Sequence, residues 1–259
     1  MIDKTTKLGK RIANGEIAKG IEHFAGNRAM VEVAAEVGFD FNMIDTQLSA
    51  FDLETVEMMV ATSKYAGITT LVRVPELQSS YITRILNMGV NGIIVPDVDS
   101  GAMAQEVVNA VKFQPAGKRM ACPMIRAAKY GLTPWKDYVD QASKEIMSCV
   151  IVESEKGVNN LAEIAATPGL DILWLGAWDL SLSLGIQGAN YTHPVMRGWL
   201  EKAGEECRKN NVLLYTTTAV NTDPEYFKIV TSQANMVCMF SDIGIFAKGC
   251  KRVLDGSGL

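Results

Sequence analysis

The sequence predicts an α/β protein, one closed barrel in which eight parallel strands alternate with helices. Three observations predict it. A short apolar run, a turn and an amphipathic stretch recur about eight times along the chain, the pattern of a parallel sheet covered by helices. The length of 259 residues suits one such barrel, for which about 250 residues is typical. No linker or low-complexity stretch interrupts the chain, so residues 1–259 are assigned to a single (β/α)8 barrel domain.

The strand candidates are short, apolar and bounded by polar residues, Gly or Pro, as strands buried on both faces should be. They are residues 17–24 (the weakest), 41–44, 69–74, 92–95, 148–152, 171–175, 212–216 and 236–240. Between them lie helical patterns. Residues 28–37 place Met30, Val31, Val33, Ala34 and Val37 at helical spacing, and residues 53–65 align Val56, Met59, Val60 and Ser63. Residues 80–88, 101–111, 158–166, 196–209 and 223–232 read the same way. A last helix follows Asp242 and ends at Gly256-Ser257-Gly258-Leu259. Residues 112–141, with Phe113, Pro115, Pro123, Tyr130, Pro134, Trp135 and Tyr138, exceed a normal barrel connection and read as a functional loop.

Composition removes several classes of function. At 48% hydrophobic and a mean hydropathy of +0.09, the chain is not disordered. A net charge of −4 argues against non-specific nucleic-acid binding, which needs a basic surface. The five cysteines, Cys122, Cys149, Cys207, Cys238 and Cys250, form no C-x-x-C, so no disulfide scaffold or zinc knuckle is expected. They suit a reducing cytoplasm, each as a small buried hydrophobe. The opening MIDKTTKLGKR lacks the apolar core of a secretory leader. No uncharged run approaches the ~18 apolar residues of a membrane span. A cytoplasmic protein without membrane contact is therefore expected. Only two histidines exist, His23 and His193, which excludes a zinc site built from several.

In a barrel of this kind, polar residues at the C-terminal ends of the strands face the mouth. The apolar runs lead into Asp45-Thr46-Gln47, Arg73, Pro96-Asp97, Glu153, Trp178-Asp179, Thr216–Thr218 and Ser241-Asp242. Glu153 and Asp179 would form a hard oxygen site for Mg²⁺ or a similar ion. Arg73 would offer a fork of donors to a carboxylate or a developing oxyanion. The competing reading is that these charges form weak surface ion pairs.

Four segments then carry a resemblance: AAEVGFDFNMID (34–45), LVRVPE…ILNMGVNGIIVPDVDS (71–100) with GKRM and RAAKYG (117–131), VIVESEKGVNNLAEIAATPGLDILWLGAWDLSLSLG (150–185) and MFSDIGIFAKG (239–249). Together they resemble the metal-dependent (class II) 2-oxo-acid aldolase family of 4-hydroxy-2-oxoheptanedioate aldolase and 2-dehydro-3-deoxyglucarate aldolase. The resemblance implies a TIM barrel of the phosphoenolpyruvate/pyruvate type. It also implies a homo-oligomer, a hexamer or trimer of dimers, and a lyase that joins or separates a 2-oxo acid and an aldehyde with a divalent metal (Mg²⁺, Mn²⁺ or Co²⁺). By position, it implies that Glu153 and Asp179 are the metal ligands and that Arg73 binds the 2-oxo group and steadies the enolate. Asp45 would order metal-bound water. Gly176, Ala177 and Trp178 would present main-chain amides to the substrate carboxylate, with Gln47 also at the substrate. Ala177 stands where the family has proline. The segment with Arg126 and Tyr130 would cover the pocket edge or a subunit contact.

The match fails at one place. The family motif I-D-x-E-H reads Ile44-Asp45-Thr46-Gln47-Leu48 here, so Leu48 occupies the position of the general-base histidine. Asn87 replaces the aspartate that supports that histidine. Two alternatives follow: an oxaloacetate-type 2-oxo-acid decarboxylase, which needs no such base, and a non-catalytic member that binds metal and oxo acid. His23, at the end of the first strand candidate, reads as a packed or hydrogen-bonded residue with an active-site role as the alternative. His193 reads as a capping or turn residue, Trp174 as core, and Trp178 as a candidate for the pocket lining.

Overall fold

The computed structural model describes residues 6–218 and 223–257. The chain opens with α1 (Lys7–Ala13), β1 (Ala18–His23), α2 (Arg28–Val37), β2 (Phe41–Asp45), α3 (Leu53–Ala66) and β3 (Thr69–Arg73). Next come α4 (Ser79–Asn87), β4 (Gly92–Val95), α5 (Gly101–Val111), a 3-10 helix (Arg126–Gly131), α6 (Trp135–Glu145) and β5 (Met147–Val152). Then follow α7 (Glu155–Asn159), α8 (Leu161–Ala165), β6 (Ile172–Leu175), α9 (Ala177–Ser183) and α10 (Pro194–Asn210). The chain closes with β7 (Leu213–Thr217), α11 (Pro224–Thr231), β8 (Met236–Ser241) and α12 (Asp242–Leu254).

The eight strands pair in sequence order, all parallel, and β1 closes the barrel on β8. This is the (β/α)8 barrel that the repeating pattern predicts. Side chains alternate along each strand. One parity points inward and forms an interior cluster that includes Phe41, Met43, Leu71, Ile151, Trp174 and Tyr215. The other parity, including Ile44, Val72, Ile93 and Leu173, joins the covering helices in the outer core. Gly20 of β1 has an interior reason. A Cβ there would lie 2.3 Å from the Phe41 ring, so only glycine admits that ring.

Several boundaries differ from the sequence reading for local reasons. Helix α1 was not anticipated: seven residues are too few for a periodic pattern. It closes the N-terminal end of the barrel, with Leu8 fully buried in the interior cluster. Residues 112–141 are not one long loop. They hold the 3-10 helix and the start of α6, fastened by Phe113, Trp135 and Tyr138, whose rings meet at 5.5 to 6.1 Å. The single helix expected over 158–166 is two short ones that meet at Asn160, whose side chain donates to the Asp99 carbonyl at 2.8 Å. Helix α9 was also missed. The last helix stops at Leu254; of the expected terminal Gly-Ser-Gly-Leu, Gly258 and Leu259 lie outside the described residues. Cys149, Cys207 and Cys238 are buried as expected, but Cys122 and Cys250 are exposed, so the buried-hydrophobe reading fails for those two. His193 does cap α10, its Nδ1 accepting from the Val195 N–H ahead of Pro194 in the first turn. Among the described residues, no helix is long and apolar enough to cross a membrane.

Candidate active site

The inward parity brings Glu22, Arg73, Glu153, Gly176 and Thr217 to the C-terminal mouth, where they line a cavity of about 330 Å³. Asp45 and Arg73 end β2 and β3 as register partners. The Arg73 Nε donates to Asp45 Oδ1 at 2.8 Å, with both side chains buried. Asp45 also accepts from the main-chain N–H of Gln47 at 3.0 Å and of Leu48 at 3.2 Å. One carboxylate therefore aims the guanidinium and shapes the turn that follows. Burial lowers the Arg73 pKa, but the hydrogen bond and charge of Asp45, with the charge of Glu22, outweigh it and hold the pKa above its ordinary value. The guanidinium also lies 5.5 Å from the centre of the Trp174 ring.

Glu153 directly follows β5 and is buried. Its Oε1 accepts from the Asp97 N–H at 3.0 Å. That N–H is presented by a left-handed Asp97 with φ of 56°, a conformation Asp adopts more readily than most residues. Desolvation pushes the Glu153 carboxyl up to about 7; the Asp97 N–H and Arg73 oppose the rise, while the charges of Asp97 and Asp179 add to it. Asp179 sits in the first turn of α9 and lines the same cavity. A Cβ at Gly176 would stand 2.8 Å from Glu153 Oε2, so glycine keeps that carboxylate's space open.

This donor set fits a small hard divalent cation. Such ions take one or two carboxylates and leave their remaining positions to water and substrate. Among the described residues no group of three or more His, Cys, Asp and Glu is arranged so that it could hold a metal ion. The Gly176 N–H is already given to the Val152 carbonyl at 3.0 Å. Its missing side chain is thus what Gly176 contributes, and the amides of Ala177 and Trp178 open α9 beside it. Trp178 is half-exposed and lines the cavity, while Trp174 is interior with one face toward it.

Leu48 lines the mouth and is 71% exposed; it carries no exchangeable side-chain proton. Asn87 is elsewhere, in a hollow with Arg84, Arg126 and Tyr130, and its Oδ1 accepts from Arg119 Nη2 at 3.3 Å. His23 points out of the barrel. It is fully buried, and its Nδ1 meets Asp242 Oδ2 at 3.1 Å. Asp242 also accepts from the N–H groups of Phe24 and Ala25. Burial raises its pKa, but His23 and the N–H groups of Phe24 and Ile243 more than offset that and leave it below its ordinary value. His23 is therefore a joint between β1 and α12 and is not part of the cavity wall.

The residue that sequence reasoning missed is Glu22. It lies inside an apolar run and belongs to no motif. The available signal was parity: Ala18, Gly20 and Glu22 share one face of β1, and that face points into the barrel. Phe24, Phe240 and Ser241 join it at the mouth.

Residues 24–244 match the model of the HpcH/HpaI aldolase/citrate lyase family. The 5-keto-4-deoxy-D-glucarate aldolase of Escherichia fergusonii is 28% identical over 249 residues, covering 96% of this chain and 95% of its own. The 2-dehydro-3,6-dideoxy-6-sulfogluconate aldolase of Pseudomonas putida is 30% identical over 184 residues, 71% of each chain. Among solved structures, an HpcH/HpaI aldolase from Desulfitobacterium hafniense superimposes with a TM-score of 0.88 at 25% identity, covering 95% of both chains.

Proposed function

The chain belongs to the HpcH/HpaI aldolase/citrate lyase family, and from that premise we propose that it is a divalent-metal-dependent carbon–carbon lyase that forms or cleaves pyruvate-derived 2-oxo acids. One observation carries the reading. A pair of carboxylates, Glu153 and Asp179, shares a cavity with Arg73, an arginine that buried Asp45 holds in place. The Escherichia fergusonii relative, which matches nearly the whole chain, is an aldolase by name.

Glu153 and Asp179 would hold Mg²⁺, Mn²⁺ or Co²⁺, which when bound supplies Lewis acidity toward the 2-oxo group. The protein's own residues do the rest. Arg73 presents a fixed cation to the oxygen on which charge develops as the carbon–carbon bond breaks. Asp45 keeps that cation oriented and would order water at the metal by accepting a hydrogen bond from it. The amides of Ala177 and Trp178 receive the substrate carboxylate, Gly176 leaves room for the Glu153 carboxylate, and Gln47 borders the second substrate, an aldehyde. Trp174 and Trp178 line the cavity with rings that displace water. The exposed Ile243, Ile245 and Phe246 of α12 support a homo-oligomer, read as a hexamer or trimer of dimers, which light scattering measures directly.

The exposed Leu48 favours a second reading, decarboxylation of an oxaloacetate-type acid, since losing CO₂ requires no deprotonated hydroxyl. Exchange of pyruvate methyl protons for deuterium, with Mg²⁺, Mn²⁺ or Co²⁺ added, tests the shared chemistry. Metal-dependent exchange is expected. Its absence, together with no pyruvate release from any 2-oxo acid supplied, overturns the lyase reading. Metal-dependent pyruvate binding without turnover would instead mark a binding protein. Oxaloacetate turnover without aldol cleavage identifies the decarboxylase.

A further inference from the structure

Cleavage of a hydroxylated 2-oxo acid requires a group that takes and returns a proton, and Leu48 is not one. Among the described residues, the titratable side chains lining the cavity are Glu22, Arg73, Glu153, Asp179 and Cys238. Arg73 is held cationic by Asp45, and Asp45 is itself spent on that ion pair and on two main-chain N–H groups. Glu153 and Asp179 are assigned to the metal. Burial pushes the Cys238 thiol far above its ordinary range, so it stays protonated. His23 faces away. Glu22 remains.

Its position suits the task. Glu22 lies on the inward face of β1, near the strand's C-terminal end, and its surface opens to the cavity. We propose that Glu22 is the catalytic acid–base residue of this cavity, exchanging a proton with the substrate where Leu48 has none to exchange. The inference rests on the lyase reading above.

The step balances without a redox partner. In cleavage, the Glu22 carboxylate takes the proton of the C4 hydroxyl. The O–H pair left on that oxygen forms the second bond of the aldehyde carbonyl, the C3–C4 bond breaks, and its pair moves through C2 onto the 2-oxo oxygen as the enolate. Once the aldehyde has left, the Glu22 carboxylic acid returns its proton to C3, giving pyruvate and restoring the carboxylate. Synthesis runs the same steps backwards. The surroundings tune the group. Desolvation, with the charges of Asp45 on β2 and Asp242 on α12, pushes the Glu22 carboxyl up to about 7 against the lowering effects of Arg73 on β3 and the Cys238 thiol on β8. Tyr215 on β7 is kept as the neutral phenol beside it. Both forms of Glu22 are thus populated near neutral pH, where general acid–base catalysis is most efficient.

The test compares wild type, Glu22→Gln and Glu22→Asp, each loaded with Mn²⁺. It reads pyruvate methyl exchange against pH and pyruvate affinity by calorimetry. For Glu22→Gln, exchange should fall about 10²-fold to 10⁴-fold with pyruvate affinity held within about threefold. The limb of the pH profile near neutrality should disappear. Glu22→Asp should recover part of the rate and keep a pH limb, and it serves as the readout if the Gln variant does not fold. Exchange in Glu22→Gln close to the wild-type rate, or a loss of pyruvate binding as large as the loss of exchange, overturns the assignment while leaving the lyase reading intact. No exchange in the wild type overturns the assignment, and if no 2-oxo acid supplied releases pyruvate either, it overturns the lyase reading as well.

Discussion

At the scale of single residues, the site depends on buried carboxylates whose partners differ. Asp45 is satisfied by a guanidinium and two N–H groups, so it stays put and holds Arg73 in one orientation. Lysine cannot reproduce the planar fork that makes this contact. Arg73→Lys is therefore expected to lower kcat by about 10²-fold to 10³-fold, the range for a lost oxyanion donor, with a smaller change in KM; steady-state kinetics checks the split. Asp242 plays a structural part. Its pKa is held below the ordinary carboxylate value in the folded protein, so the stability it contributes is complete above the unfolded pKa and lost as pH falls through the folded pKa. Asp242→Asn should cost about 1–3 kcal/mol at neutral pH. Urea unfolding should show that deficit shrinking below about pH 4, as the wild-type carboxylate itself becomes protonated. Asp45, Arg73 and Glu153 were legible in the sequence because each ends an apolar run. Glu22 was not, because it sits inside a run, where only the strand's parity reveals which way it faces.

At the scale of elements, the turn from β6 into α9 shows how backbone decides function. Gly176 gives its N–H to β5 and holds no side chain where the Glu153 carboxylate must sit. Gly176→Ala should leave the barrel folded, with circular dichroism unchanged. Its Cβ must displace the Glu153 carboxylate, so Mn²⁺ affinity by calorimetry should fall at least about tenfold, the scale of a lost supporting contact at a metal site. Unchanged affinity would mean that Glu153 is not a ligand. Helix α9 was invisible in the sequence because it is seven residues long and begins at the mouth, where periodicity is too brief to register. Helix α1 escaped notice for the same reason, though Leu8 is wholly buried beneath the barrel.

At the scale of the whole molecule, closure of β1 onto β8 brings residues from opposite ends of the chain into one cavity: Glu22 lies across the same mouth as Phe240 and Ser241. A cation bound there by Glu153 and Asp179 should stabilise the folded state by mass action, about 2.7 kcal/mol at a free ion concentration 100-fold above Kd. Thermal unfolding with Mn²⁺ should show a raised Tm that depends on metal concentration and is lost in Glu153→Gln, a result that needs no substrate. The barrel itself, most of its helices and the Glu153–Asp179–Arg73–Asp45 set were determined by the sequence alone. Hydrophobic period and the polar residues ending each strand are local properties, written wherever a strand meets the mouth. Tertiary structure decided the remainder: that His23 turns outward to Asp242, that Gly176 makes room for a carboxylate, and that Glu22 faces the cavity. Each depends on which side of a closed sheet a residue meets and on which distant segment stands opposite, and a linear pattern holds neither fact.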